Sequence, residues 1–168
     1  MENDIEAYGI HTGVQKVMCD TSVLFPPTTR KILVGAAVDG LFDFYWSPWI
    51  VAELNRTLTW NWIKKRRGSE DECSESSNKM MRHILPFFRT IDPLPPYEDG
   101  KDVIPDLNDL PIWAAAKLAH VDFLVSNNTK DFPFINTSRQ YVYEGIEWIT
   151  AKDFINRFIL INANGQRL

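Results

Sequence analysis

Apolar and polar positions along the chain predict an alternation of strands and helices. Short apolar runs predict strands at residues 16–19, 41–46, 121–126 and 140–143. Apolar positions at helical spacing predict helices at residues 28–38, 49–67, 79–90, 110–120 and 151–160. Because strands that alternate with helices form a parallel sheet covered on both faces, the pattern predicts an α/β fold, a three-layer α/β/α sandwich around a mostly parallel sheet.

Capping signals support several of these boundaries. Ser47 followed by Pro48 is a favourable N-cap and first-turn pair, and Gly40 is a stop signal after the first helix. Thr150, with Asp153 three residues later, forms a capping box at the start of the last helix. The helices are therefore expected to begin and end close to these residues.

Two polar segments interrupt the pattern without dividing the chain. Residues 68–78 are polar and predict a loop, and residues 92–105 hold four prolines and one glycine, which predict an extended connection. The chain has 168 residues, of which 45% are apolar and 24% charged, an ordinary balance for one globular domain. We therefore expect a single domain over residues 1–168, with a core at about 16–158.

Composition excludes or disfavours several classes of protein. The two cysteines form no CxxC pair and the three histidines no HxxxH pair, which disfavours a zinc site or a Ser–His–Asp hydrolase. The N-terminal residues are acidic where a signal peptide is basic, and no apolar stretch reaches the roughly 20 residues that cross a bilayer. These features predict a cytoplasmic protein that does not insert into a membrane.

Four carboxylates stand where the predicted fold would place a site. Asp20 follows the first strand, Glu53 lies in the second turn of the helix after the second strand, Asp109 opens a helix, and Asp131 follows the strand at 121–126. Ligands of open α/β sheets bind beyond the carboxyl ends of the strands, so the fold could bring these acids together. The net charge of −4 argues against binding nucleic acid, unless the acids concentrate in a site that binds cations.

Acids that converge in this way need a compensating cation. Two like charges about 6 Å apart repel by roughly 3 kcal/mol at an effective dielectric near 20. Oxygen ligands without histidine or cysteine select Mg²⁺ or Mn²⁺, and such ions commonly act on phosphate esters. The acids therefore predict a metal-dependent phosphodiesterase, in which no protein side chain is the covalent nucleophile.

Each acid also has a structural interpretation that involves no metal. Asp20 could form a turn or a cap, Glu53 could be a solvated surface residue, and Asp109 could be the N-cap of its helix. Asp131 could be an ordinary loop acid, and Asp106 is better explained as a turn residue after a proline. Only the combination of the acids favours the metal site.

The motifs around these acids resemble the PIN domain, a family of metal-dependent ribonucleases. The C-terminal stretch VIPDLNDLPIWAAAKLAHVDFLVSNNTKDFP is similar to the acidic helix, strand and loop of that family, in the form found in VapC-type toxins. Upstream, VMCDTSVL resembles the family's first-strand motif and SPWIVAELNRTL its second acidic helix. The resemblance covers residues from about 16 to 158.

The resemblance implies roles for the acids and their neighbours. Its acidic metal positions match Asp20, Glu53, Asp109 and Asp131. Three polar residues beside them would orient the carboxylates rather than bind the metal directly: Ser22, Ser126 and Asn128. The resemblance further implies RNA as the substrate, a homodimer and, for the toxin branch, a protein antitoxin that blocks the site. The intact acid set favours an active enzyme over a PIN-fold RNA-binding or regulatory module with weak or lost catalysis. A nuclease that acts on DNA is a further alternative, which the acids do not exclude.

A basic cluster ends the helix that carries Glu53. It consists of Lys64, Lys65, Arg66 and Arg67, preceded by two tryptophans at positions 60 and 62. Cations with interleaved aromatic residues can follow the backbone of a single-stranded nucleic acid and stack its bases. Cations also favour helix C-termini through the helix dipole, so this cluster has two interpretations, RNA contact and helix stabilisation.

Overall fold

The computed structural model describes residues 14–133 and 136–160. The predicted single domain over residues 1–168 therefore includes residues that lie outside the described part, as does the N-terminal stretch used for the signal-peptide argument. None of the helices within the described ranges has the length and apolar character needed to cross a membrane.

Six strands of the described residues form one mostly parallel sheet. They are β1 (Lys16–Cys19), β2 (Asp43–Trp46), β3 (Arg89–Thr90), β4 (Phe123–Val125), β5 (Tyr141–Tyr143) and β6 (Ile146–Ile149). Their order across the sheet is β3-β2-β1-β4-β6-β5, and only the β5–β6 pair is antiparallel. The two central strands, β1 and β4, are almost entirely buried, as expected where both faces are covered.

Helices connect and cover these strands. They are α1 (Thr21–Leu24), α2 (Pro27–Val38), α3 (Pro48–Lys64), α4 (Glu70–Ile84), α5 (Leu110–Ala119) and α6 (Ala151–Phe154), followed by a π-helical segment at Ile155–Ile159. The caps predicted from the sequence are present in two cases. The Ser47 hydroxyl accepts a hydrogen bond from the Ile50 N–H, and the Thr150 hydroxyl accepts one from the Asp153 N–H.

An aromatic cluster covers one face of the sheet. The ring of Phe44 lies 5.4 Å from that of Phe88, and the ring of Phe123 lies 5.8 Å from Phe154 and 4.9 Å from Phe158. Phe88 follows α4, whereas Phe154 and Phe158 belong to the C-terminal helical segments. These segments therefore form the layer on this side.

The opposite face is covered by α5. Trp148 of β6 stacks on Trp113 of α5 with ring centroids 6.1 Å apart. The preceding strand residue, Glu147, points the other way and accepts hydrogen bonds from Arg157, which also stacks on Phe158. Successive residues of β6 thus contact opposite helical layers, and the predicted three-layer α/β/α sandwich is confirmed.

The loop predicted at residues 68–78 is wrong, because most of this segment belongs to α4. Ser69 and Glu72 form a capping box, in which the Ser69 hydroxyl accepts from the Glu72 N–H and the Glu72 carboxylate accepts from the Ser69 N–H at 2.8 Å. The helix is mostly polar and buries only a narrow stripe, so its composition is typical of a loop. The helix predicted at 79–90 is correspondingly displaced, since α4 ends at Ile84 and β3 occupies Arg89–Thr90.

The strand predicted at residues 140–143 is not the last one. β5 forms a tight hairpin with β6, a strand that the sequence pattern did not predict. Glu144 and Gly145 form the turn, and both have positive φ, at 46° and 80°. Two successive residues in this conformation are typical of the turns that join antiparallel strands. β6 therefore extends the sheet between β4 and β5.

Candidate metal centre

Asp20 lies at the carboxyl end of β1, in the middle of the sheet. Its backbone N–H donates to the Val125 carbonyl at 2.9 Å, which continues the pairing of β1 with β4. In the next strand, the Ser126 N–H donates to the Ile149 carbonyl at 3.0 Å, so the ends of β4 and β6 are also aligned. The sheet thus places Asp20 and Ser126 side by side at the edge where α/β proteins bind ligands.

Two hydroxyl groups hold the Asp20 carboxylate. Ser22 and Ser126 each donate to the same oxygen, Oδ2, at 2.8 Å. No residue of the described ranges donates to the other oxygen, Oδ1. Ser126 is buried and Ser22 is partly buried, so water competes little for these contacts. Asp20 is therefore fixed through one oxygen, while its second oxygen accepts no hydrogen bond from the described residues.

The backbone after β4 orients these hydroxyls. The Asn127 N–H donates to the Ser22 hydroxyl at 3.0 Å, and the Asn128 N–H donates to the Ser126 hydroxyl at 3.1 Å. Because each hydroxyl accepts from a backbone N–H, its single proton is directed towards Asp20. Ser22 and Ser126 therefore hold the Asp20 carboxylate, and their influence on a bound metal stays a prediction.

Ser126→Ala is expected to lower the affinity for Mn²⁺ by about 10- to 100-fold, because groups that orient a metal ligand have effects of this size. Calorimetric titration of the purified chain with Mn²⁺ measures the change. Ser76→Ala, an exposed serine on α4, is the matched control and should bind as the wild type does. Equal Mn²⁺ affinity of Ser126→Ala and the control would contradict the role of Ser126.

Glu53 enters the site from α3. The helix begins at the Ser47 N-cap after β2, so its second turn lies near the same end of the sheet. The buried Thr21 hydroxyl donates to Glu53 Oε2 at 2.7 Å. This bond joins α3 to the turn that follows Asp20 and brings the two acids into one cleft.

Three further carboxylates converge on the other side of the cleft. One oxygen from each of Asp106, Asp109 and Asp131 lies within 4.8 Å of the others, and all three residues are partly buried. Carboxylates this close repel one another strongly unless a cation or a proton lies between them. This group brings together the predicted Asp109 and Asp131 and adds Asp106.

Asp106, rather than Asp109, uses its side chain as a cap. Asp106 Oδ1 accepts from the Asn108 N–H at 2.9 Å and stabilises the 3₁₀ turn at Leu107–Asp109. Asp109 stands at the N-cap position of α5, but its side chain makes no capping bond. The alternative interpretation of Asp109 as a side-chain cap is therefore wrong, and its carboxylate is left to face the other acids.

Asn128 positions Asp131. The Asn128 side-chain amide donates to Asp131 Oδ2 across a single 3₁₀ turn. This contact, together with the bond from the Asn128 N–H to Ser126, links the outer acids to the network around Asp20. Asn128 therefore contacts both Asp131 and Ser126, and its influence on a bound metal stays a prediction.

The acids line one open cleft of about 760 Å³. Asp20, Glu53, Asp106 and Asp109 form its polar wall, and Asp131 approaches Asp106 and Asp109 from the side. The structure thus brings all four predicted acids to one region, although they are far apart along the chain. The other three predicted acids lie close enough to act on the Asp109 carboxyl group, but only Asp109 and Asp131 belong, with Asp106, to the group whose oxygens lie within 4.8 Å of one another.

Asp109 has a pKa raised from 3.8 to about 7. Burial is the main cause, followed by the negative charges of Asp20, Asp106, Asp131 and Glu53. Four other acids thus lie close enough to the Asp109 carboxyl group to disfavour its ionisation. At neutral pH without a cation, Asp109 therefore carries a proton for much of the time.

The predicted basic cluster is only partly connected to this site. Lys64 lines a groove that adjoins the cleft, whereas Lys65, Arg66 and Arg67 are exposed beyond the end of α3 and line neither. The helix-stabilising interpretation fits their position after the last turn. RNA contact by these three residues stays a prediction.

Sequence reasoning missed residues that line the cleft on α3. Arg56 and Trp49 lie three residues after and four residues before Glu53, on the same face of the helix. Residues three or four positions apart lie on the same face of a helix. The position of Glu53 was therefore enough to predict that Trp49 and Arg56 also face the site. Asp106 was interpreted as a turn residue, and it serves that role and faces the acid group as well.

The donor set fits a hard divalent cation. Every candidate ligand is a carboxylate oxygen, without a nitrogen or sulfur donor, and such sets favour Mg²⁺ or Mn²⁺ over zinc. A bound cation would offset the repulsion between the negative charges of Asp109 and its neighbours. No protein-family model, curated protein or solved structure gave a significant match to this chain.

Proposed function

We propose that this chain is a Mg²⁺- or Mn²⁺-dependent endoribonuclease of the PIN type, which hydrolyses phosphodiester bonds of single-stranded RNA. Four acids from separate parts of the chain line one cleft, and a fifth, Asp131, lies against two of them; this convergence is the observation that carries the proposal. Like charges of this density are unfavourable for folding, so their presence indicates a function for the cation that they attract.

Different residues would hold the cation from different sides of the cleft. Asp20, Glu53, Asp109 and Asp131 are the candidate metal ligands, and Asp106 joins Asp109 and Asp131 in a group whose oxygens lie within 4.8 Å of one another. A divalent ion bound there would supply an activated water and stabilise negative charge on the leaving oxygen. Asp109 must release its proton to act as a ligand, since only the ionised carboxylate binds well.

No activated side-chain nucleophile competes with this assignment among the described residues of the cleft. Cys19 precedes Asp20, but it is fully buried, and burial raises its pKa far above the usual range. It therefore stays a thiol and cannot attack a phosphate as a thiolate. Ser22 and Ser126 are oriented towards Asp20, and no histidine lies beside them to act as a base.

Purified protein is expected to cleave single-stranded RNA when Mn²⁺ or Mg²⁺ is present and to lose this activity in EDTA. Asp20→Asn is the control variant, because it keeps the shape of the side chain and removes the charge that attracts the cation. Electrophoresis of a labelled RNA oligomer measures cleavage. Activity that persists in EDTA, or in Asp20→Asn, would contradict the proposal.

Two other outcomes distinguish the alternatives. Metal-dependent cleavage of a matched DNA oligomer, in place of the RNA, would assign the chain to the DNA-acting nucleases. Binding of RNA without cleavage in any divalent metal would instead favour a regulatory or RNA-binding module. Both comparisons use the same protein and the same assay conditions.

The finer assignment, to the toxin half of a toxin–antitoxin pair, is supported by the VapC-type motifs of the sequence. A toxin of this class would arrest growth of the cell that expresses it, and Asp20→Asn would relieve the arrest. The proposed homodimer and antitoxin partner belong to the same assignment. Growth curves after induction of each form, in the same host, test it.

A further inference from the structure

A second groove continues from the acid cleft along α3. It has a volume of about 510 Å³ and shares three lining residues with the cleft, Phe25, Arg56 and Thr57. Its other lining residues lie one turn further along the helix, and they are Trp60, Asn61 and Lys64. The cleft and the groove therefore form one continuous surface, which begins at the acids.

One face of α3 forms the wall of this surface. Trp49, Glu53, Arg56, Trp60 and Lys64 follow one another at intervals of three or four residues, which places them on the same side of a helix. Glu53 and Lys64 are separated by about 16 Å along the axis, at 1.5 Å per residue. The acids thus lie near the start of the helix and the cations towards its end.

The aromatic residues on this face are unusually exposed. Trp60 has 57% of its surface accessible and Trp49 has 49%. A tryptophan is expensive to leave in water, since each buries a large apolar area when it finds a partner. Arg56 and Lys64, which flank Trp60 on this face, have no ion-pair partner within residues 14–133 and 136–160.

We propose that this face of α3 is the path by which single-stranded RNA enters the acid cleft. A base stacks on Trp60, while phosphates on either side contact Arg56 and Lys64. This inference rests on the proposed function, because it names how the substrate of that site is held. It places the RNA contact on Arg56, Trp60 and Lys64, and not on the exposed cations that follow the helix.

The chemistry of the face favours a single strand over other occupants. Stacking on an exposed indole requires an unpaired base, which a duplex does not offer. Arg56 and Lys64, the cations beside the indole that have no ion-pair partner among the described residues, can bind phosphates. They make the groove positively charged, whereas the acids make the cleft negatively charged. The groove also opens directly onto the candidate ligands, so a strand that lies in it delivers a phosphodiester to them.

Fluorescence anisotropy of a fluorescein-labelled 12-nucleotide oligouridine RNA tests the path. The protein is the full chain carrying Asp109→Asn, in buffer with Mg²⁺, so that the RNA stays intact during the measurement. Trp60→Ala in this background is expected to weaken binding by about 10-fold, the effect of losing one stacked base. Trp60→Phe, which keeps a ring for stacking, is expected to stay within about 3-fold of the parent.

The cations have a separate readout. Arg56→Ala is expected to reduce the slope of log affinity against log salt by about 0.7, as for the loss of one phosphate contact to a single strand. Lys79→Ala, which removes an exposed cation of α4 outside both the cleft and the groove, is the matched control and should leave the slope unchanged.

Several results would overturn the inference. These are no binding of the RNA by the parent, unchanged affinity in Trp60→Ala, and equal affinity for the RNA and its duplex. A change in oligomeric state of Trp60→Ala, at unchanged RNA affinity, would show that a second copy of the chain covers Trp60. If the wild type fails to cleave RNA but Trp60-dependent binding is present, the proposed catalysis fails and the RNA path stands.

Discussion

Asp109→Asn is expected to reduce RNA cleavage by at least about 100-fold while leaving the metal-free protein as stable as the wild type or more stable. Removing a group that only orients a metal ligand lowers activity by about 10- to 100-fold. Removing a direct ligand should therefore lower activity by at least about 100-fold. Stability should not fall, because the Asp109 side chain makes no capping bond and sits among four other acids. Relief of that repulsion is expected to stabilise the fold by about 1–3 kcal/mol.

Cleavage assays and urea unfolding in EDTA measure the two effects on the same preparations. Asp39→Asn is the matched control, since it removes the same charge from an exposed position at the end of α2. It should change neither cleavage nor stability by a measurable amount. A loss of stability in Asp109→Asn alone would mean that the carboxylate supports the fold, and would argue against a role reserved for the metal.

The free energy of unfolding of the metal-free protein is expected to increase as the pH falls from about 8 to about 5. The pKa of Asp109 is about 7 in the folded protein, above its ordinary value of 3.8, so the native state binds a proton that the unfolded state does not. Protonated Asp109 therefore stabilises the native state at low pH, and this stabilisation is lost as the pH rises through 7. Between pH 7 and pH 5 this contribution amounts to at most about 2.7 kcal/mol, which solvent screening of a partly exposed carboxyl reduces to about 1 kcal/mol.

Thermal unfolding at several pH values, with and without Mg²⁺, measures this dependence. In EDTA the melting temperature should rise by about 2–4 °C between pH 8 and pH 5 for a chain of this size. Glu72 and Glu98 have lowered pKa values, so their stabilisation is lost only below this range. Saturating Mg²⁺ should reverse the trend, because protons compete with the metal for the carboxylates. A flat profile in both buffers would show that Asp109 ionises normally.

The pattern of apolar and polar residues was sufficient to predict the helices and strands with strong periodicity. The buried run of β1, the Ser47 cap and the apolar helix α5 all lie where the pattern placed them, because burial and capping act locally. The polar helix α4 was missed, since its sequence favours solvent and only its narrow buried stripe shows that it packs. The strand β6 was missed because the turn before it depends on positive φ at Glu144, a backbone conformation that glutamate rarely adopts.

The acids of the candidate site were predicted from where they lie relative to the strands. The residues next to each acid in the sequence were less informative. Asp20 and Asp131 could be placed because the carboxyl ends of parallel strands meet at one edge. Asp106 could not, because its role as a cap and its approach to Asp109 depend on how one 3₁₀ turn is folded. The groove along α3 was equally hidden, since exposure of Trp60 is set by the packing of the whole helix and not by its neighbours in sequence.

The two halves of the acid group differ in how firmly they are held. Asp20 is clamped by hydroxyls that are themselves tied to the backbone of a neighbouring strand, so its place is set before any ion arrives. Asp106 and Asp131 each accept a hydrogen bond within a short 3₁₀ turn, whereas no residue of the described ranges donates to the Asp109 carboxylate. Asp109 is therefore the acid of this group with the greatest freedom to adjust its position. If the chain binds a metal as proposed, this adjustment would let the site accept the larger Mn²⁺ as well as Mg²⁺.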